Sequence, residues 1–171
     1  MALYRAIVEQ SRDPSFFTVF KAPDTVEGRF EVLALHMYAV LRRLKGQGAS
    51  SDDFAQTLFD VFFKDMDDSL RELGVGDMSI GRKIRTMAES FYGRVGAYEK
   101  SIDAEDWDGL GDAIARNVYE DPNATEAAAL ANYLRKTINH IGTIPLDDLQ
   151  QGTVHFPAIE VAPAAEKATA Q

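Results

Sequence analysis

The chain has 171 residues, 46% of them hydrophobic and 26% charged, with a net charge of −9 and no cysteine. That length and balance suit one globular domain with a core of its own. The lack of thiols excludes disulfides, thiolate metal sites and cysteine nucleophiles, and the acidity argues against nucleic acid as a direct partner.

Leu3, Ile7 and Val8 fit a short first helix ending near Asp13-Pro14. Phe16, Phe17 and Phe20 form an aromatic connector. Asp24-Thr25-Val26-Glu27 has the form of a capping box and opens a long helix to about Lys45, stopped by Gly46-Gln47-Gly48. Within it, the apolar stretch from Val32 to Leu41 holds His36 and is far too short to span a bilayer. Ser51 or Asp52 is expected to cap the next helix. Its residues Phe54, Leu58, Phe59, Phe62, Phe63, Met66, Leu70 and Leu73 recur every three or four positions and make a wide apolar face.

A corner follows at Gly74-Val75-Gly76-Asp77, with a third glycine at Gly81. Gly74 fits the left-handed position after a helix, with Val75 as the apolar contact beyond it. Further glycines suggest close approach of the backbone to another helix or to a ligand, but Gly-Val-Gly-Asp matches no phosphate-loop or dinucleotide pattern, and a tight turn between helices is the plainer reading. Ser79 is the expected cap of the next helix, whose face reads Ile80, Ile84, Met87, Phe91, Val95 and Tyr98. A shorter helix carries Trp107, Leu110, Ile114 and Val118. Asp121-Pro122-Asn123 marks a turn, and a last helix from about Ala127 stops at Gly142.

The fold class expected is all-α: a single compact domain of six to seven helices over residues 2–150, as a bundle or an orthogonal array. Residues 151–171 form an extended or disordered tail, rich in Ala and Pro from Pro157. No secretory or transit segment is visible near Met1, and a cytoplasmic protein is expected, with peripheral membrane contact left open.

Three groups of polar residues carry candidate chemistry. Asp60, Asp65, Asp67 and Asp68 resemble the Asp-rich helices that hold magnesium in isoprenoid synthases, but no second Asp-rich helix matches them. The plainer reading is surface ion pairs, Asp60 with Lys64 and Asp67 with Arg71. Arg29, His36 and Arg43 are spaced by seven, as are Asp60 and Asp67 on the next helix. The two stripes are expected to face each other as a polar seam that fixes helix register, or to leave Arg29 and His36 flanking a groove. Arg82 and Lys83, beside the helix start after Gly76, form a basic edge for an acidic partner. One histidine with no nucleophile beside it argues against a triad. No catalytic residue, metal site or cofactor is expected.

An ordered series of segments then points to a family. It runs through Leu3-Tyr4, Ile7-Val8-Glu9-Gln10, Pro23 to Glu31, Leu35-His36, Arg42-Arg43-Leu44, Ala55 to Asp60, Asp65-Met66-Asp67, Leu70 to Asp77, Gly81-Arg82-Lys83, Met87-Ala88-Glu89, Phe91 to Arg94 and Tyr98. This series resembles the ubiquinol–cytochrome c chaperone family over about Leu3 to Asn117. The resemblance implies a non-enzymatic helical assembly factor for ubiquinol–cytochrome c reductase. Its partners would be cytochrome b or another membrane-protein client and a small helper protein, and its place the cytoplasmic face of the inner membrane or, for a mature mitochondrial form, the matrix. Association with the ribosome is implied for mitochondrial members, and the acidic charge argues against it here. The partner-binding residues expected from the matching motifs are Arg29, His36, Asp60, Asp67, Arg71, Asp77, Arg82, Lys83, Phe91, Tyr92 and Arg94. Two alternatives remain: a magnesium-dependent helical enzyme that handles prenyl diphosphates, and a generic helical adaptor.

Overall fold

A computed structural model describes residues 1–159. The helices are α1 (Ala2–Ser11), α2 (Ser15–Thr18), α3 (Val26–Leu44), α4 (Ala49–Glu72), α5 (Asp77–Asp103), α6 (Trp107–Val118), α7 (Ala127–Gly142) and α8 (Leu146–Gln151). No strand occurs among the described residues. The all-α expectation holds. The aromatic connector contains the single turn α2, and α8 was not foreseen.

Helix α3 is the axis of the fold. Every residue from Phe30 to Val40 is buried, so this helix is covered on all sides. It packs against α1, α4, α6 and α7, while α5 packs on α4 and α6. The start of α3 is set by Thr25, whose Oγ1 accepts the Gly28 N–H at 3.1 Å. Gly28 is required there. A Cβ at this position would lie 1.9 Å from the Pro23 carbonyl oxygen.

Helices α4 and α5 form a long two-helix arm, about 36 Å and 40 Å in length at 1.5 Å per residue. Each presents only one narrow face to the body: Leu58, Phe62 and Leu70 from α4, and Ile80, Phe91 and Tyr98 from α5. Aromatic rings join arm to body. Phe62 stacks on Phe30 at 5.8 Å and meets Phe91 at 5.6 Å and Tyr4 at 6.5 Å. Burying rings of this size stabilises by about 2 kcal/mol each. The Tyr4 hydroxyl also donates to Asp65 at 2.7 Å, tying α1 to α4.

Two expected caps are corrected. Helix α4 begins at Ala49 after Gly48, ahead of Ser51 and Asp52; Asp52 instead accepts the Gly46 N–H at 3.2 Å. Helix α5 begins at Asp77 after Gly76, and the Ser79 hydroxyl donates back to the Gly76 carbonyl at 3.1 Å. The corner is also less crowded than three glycines suggest. Gly74 has φ +80 and nothing within 4 Å of its absent Cβ. The Val75 N–H bonds to the Leu70 carbonyl and the Gly74 N–H to the Arg71 carbonyl, the double closure of a left-handed helix end. Gly81 likewise has open space around it, and at Gly76 the nearest atom is 4.0 Å away. Close backbone approach is thus not the reason for these glycines.

After α8, the chain turns at Gly152 (φ +88) against Ala2 and runs extended across the body. Val154 is buried, and Phe156 sits edge-on to His36 at 5.3 Å. The remainder of the expected tail, residues 160–171, lies outside the described residues.

Candidate functional site

Where the outer half of the arm leaves the body, a groove opens. Two hollows, of about 200 Å³ and 340 Å³, share Val26, Phe30, Leu70 and Met87 as lining and so lie side by side along one groove. The first turns of α3 make one wall, α4 and α5 make the other, and Val8, Ser11 and Arg12 of α1 close one end. The floor is apolar. Val26 is 51% exposed and Leu73 62% exposed, large apolar side chains that a folded chain normally covers.

Charge is unevenly placed around this groove. Arg29 is paired with Asp24 at 2.7 Å and also lies over the Phe17 ring. Arg94 forms a two-pronged ion pair with the buried Glu31. Burial pushes the Glu31 carboxyl upward, and the Arg94 guanidinium opposes that rise. Arg82 and Lys83 line the α5 side, exposed and with no ion pair among the described residues.

The structure therefore brings four of the eleven expected residues to the groove: Arg29, Arg82, Lys83 and Arg94. Three others hold the corner. Arg71 bonds to Asp67 at 2.6 Å and to Asp77 at 2.5 Å, bridging the end of α4 to the start of α5. Asp60 is elsewhere on the surface and accepts from Gln56 at 2.7 Å. Tyr92 is 61% exposed and lines a separate cleft of about 410 Å³ nearer the base of the arm, with Tyr38 and Phe59. Phe91 and His36, expected as partner-binding residues, lie instead in the core, 2% and 1% exposed, with no surface to offer a partner.

The two stripes spaced by seven do not face each other. His36 is bonded inside the body: its Nδ1 is 2.7 Å from the Val32 carbonyl oxygen and its Nε2 2.9 Å from the Tyr133 hydroxyl. A carbonyl only accepts, so Nδ1 carries the proton and Nε2 accepts from Tyr133. Gln10 in turn donates to the Tyr133 oxygen at 3.2 Å, so α1, α7 and α3 are joined by one polar chain. Burial drives the His36 pKa down to about 4 and keeps the ring neutral. Arg43 donates to the Ile144 carbonyl at 3.2 Å.

The acidic run is also dispersed. Asp65 accepts from Tyr4, Asp67 is held by Arg71, and Lys64 pairs with Asp68 at 2.6 Å, not with Asp60. Among the described residues no group of three or more His, Asp or Glu is placed to hold a metal ion. The Asp-rich reading thus has no geometry behind it. No helix of the described residues is long and apolar enough to cross a membrane.

The groove-lining residues that sequence reasoning missed are Val26, Phe30, Glu31 and Arg12. Met66 and Leu70 belong to the apolar face of α4 and Met87 to that of α5, but periodicity does not show where such faces part from their neighbours. Glu31 directly precedes the apolar stretch that begins at Val32, and an acid so close to a buried run is a signal of a buried partner.

The chain is similar to known proteins. The family model described as ubiquinol-cytochrome C chaperone matches residues 18–156. The chain is 26% identical over 153 residues to a Xenopus laevis protein named ubiquinol-cytochrome-c reductase complex assembly factor 1, covering 87% of this chain and 75% of the frog protein. It is 27% identical to the human protein of that name over 87% of this chain, and spans half of the human chain. The crystal structure of the Cbp3 homolog from Brucella abortus is similar with a TM-score of 0.84 and 36% identity, over 92% of this chain and 88% of that one.

Proposed function

Because the chain belongs to the ubiquinol–cytochrome c chaperone family, we propose that it is a non-enzymatic assembly factor that holds a subunit of ubiquinol–cytochrome c reductase, cytochrome b foremost, before that subunit joins the complex. The groove between arm and body is the observation that carries this reading. It offers exposed apolar surface from Val26 and Leu73 beside the buried Phe30 and Leu70 on a helical frame. A newly made membrane helix exposes an apolar face that would aggregate in water, and a groove of this kind covers one. Arg29, Arg82, Lys83 and Arg94 stand at its edges as the contact residues. The Lys- and Arg-rich loops of a membrane client would meet the acidic surface elsewhere on a chain of net charge −9. The protein then works at the membrane face as a peripheral partner.

Site-specific photo-cross-linking tests the reading. A photoreactive phenylalanine analogue at Thr86, an exposed groove residue, should capture newly made cytochrome b in cells. The same analogue at Glu105, away from the groove, should not. Equal capture at both positions, or none at Thr86, counts against the groove.

A further inference from the structure

We propose, building on the assembly reading, that the groove selects an apolar helix of a partner protein whose flank toward α5 carries carboxylates. Position points to a helix: the two neighbouring hollows lie side by side between the first turns of α3 and the arm, where a third helix can lie against both. Met66 and Met87 line the groove, and flexible thioethers adapt to apolar faces of differing shape. Charge points to acid on the occupant. The chain carries −9 overall, yet Arg82 and Lys83 stand beside the groove without an ion pair among the described residues.

The carboxylates of the groove lie elsewhere. Glu27 is in the first turn of α3, where the helix terminus favours it. Glu31 is taken by Arg94, with Glu120 beside that pair, and Asp65 is taken by the Tyr4 hydroxyl. The α5 side therefore carries two cations unpaired among the described residues, with exposed Arg12 a third at the α1 end, and the α5 pair fixes which flank of a charged helix faces that side. A bilayer surface would not enter a groove.

Two designed helical peptides of 20 residues test this on the full chain. Both carry the same Leu/Phe face; one has a Glu flank and the other a Lys flank. By fluorescence anisotropy the Glu-flanked peptide should bind at least tenfold more tightly. The double variant Arg82→Glu/Lys83→Glu should reverse that preference, and Thr86→Trp, which fills the groove from an exposed position, should abolish binding of both peptides. Circular dichroism melts establish that the variants are folded. Equal affinities, a preference unchanged by the double variant, tighter binding to phosphatidylglycerol vesicles than to either peptide, or dimerisation that blocks the groove would each overturn the proposal. The outcome is separable from the assembly reading: the peptide preference can hold while no reductase subunit cross-links, and that result would sink the assembly reading alone.

Discussion

Arg94 on α5 and Glu31 on α3 form a two-pronged ion pair at the inner edge of the groove, Nε and Nη2 each donating to one carboxylate oxygen. Their side chains are 18% and 8% exposed, so neither is well solvated. Removing one member of such a pair leaves the other charge stranded, at a cost of about 3 kcal/mol, whereas replacing both with apolar groups costs much less. Arg94→Met should therefore lower unfolding stability in urea by about 3 kcal/mol, and Glu31→Met/Arg94→Met should recover most of it. A single variant within about 0.5 kcal/mol of the parent, the scatter of ordinary surface substitutions, would show that the pair is not what joins arm to body.

His36 makes stability depend on pH. Burial lowers its folded pKa to about 4, while the unfolded ring titrates near 6.5. Below about pH 6.5 the unfolded chain takes up a proton that the folded chain refuses. Stability is therefore full above the unfolded pKa, is lost as pH falls, and levels off once pH passes the folded value. Between pH 7 and pH 5 the expected loss is about 2 kcal/mol. His36→Gln should remove that part of the slope, so the difference between parent and variant isolates it from the carboxylates. Parallel pH profiles for the two proteins would contradict the assignment.

The glycines of the chain should separate by role. Gly28→Ala forces a Cβ into the Pro23 carbonyl, and overpacking of this kind costs about 1–3 kcal/mol or more. Gly74→Ala places a side chain at φ +80 and should cost about 1 kcal/mol. Gly81→Ala lies in an open stretch of α5 and should stabilise by about 0.5–1 kcal/mol through helix propensity. Thermal melts of the three variants give the ranking. Stabilisation at Gly28 or marked loss at Gly81 would reverse it.

The capping box made α3 readable, the long apolar periodicities α4 and α5, and Gly74 announced its own turn. What failed was local competition at helix starts. Ser51, Asp52 and Ser79 are good caps by type, yet Gly48 and Gly76 end the preceding loops first, and those side chains bond elsewhere or, for Ser51, find no partner. Helix α8, at six residues, is too short to show a period. The polar seam failed for a different reason. Spacing by seven places Arg29, His36 and Arg43 on one side of a helix, but not against a given neighbour. The partner of His36 is Tyr133, 97 positions away, and nothing near His36 in the chain announces it. The candidate site was legible in its charged edge, Arg82, Lys83 and Arg94, and illegible in its floor, because an open apolar face and a packed one have the same pattern.

The central claim is that this chain is needed to assemble ubiquinol–cytochrome c reductase. The most direct measurement is the reduced-minus-oxidised difference spectrum of membranes from a strain lacking the gene, with the reductase transcripts measured alongside. The cytochrome b absorbance should fall severalfold while transcripts are unchanged, and the intact chain should restore it. A normal cytochrome b spectrum in that strain would contradict the account.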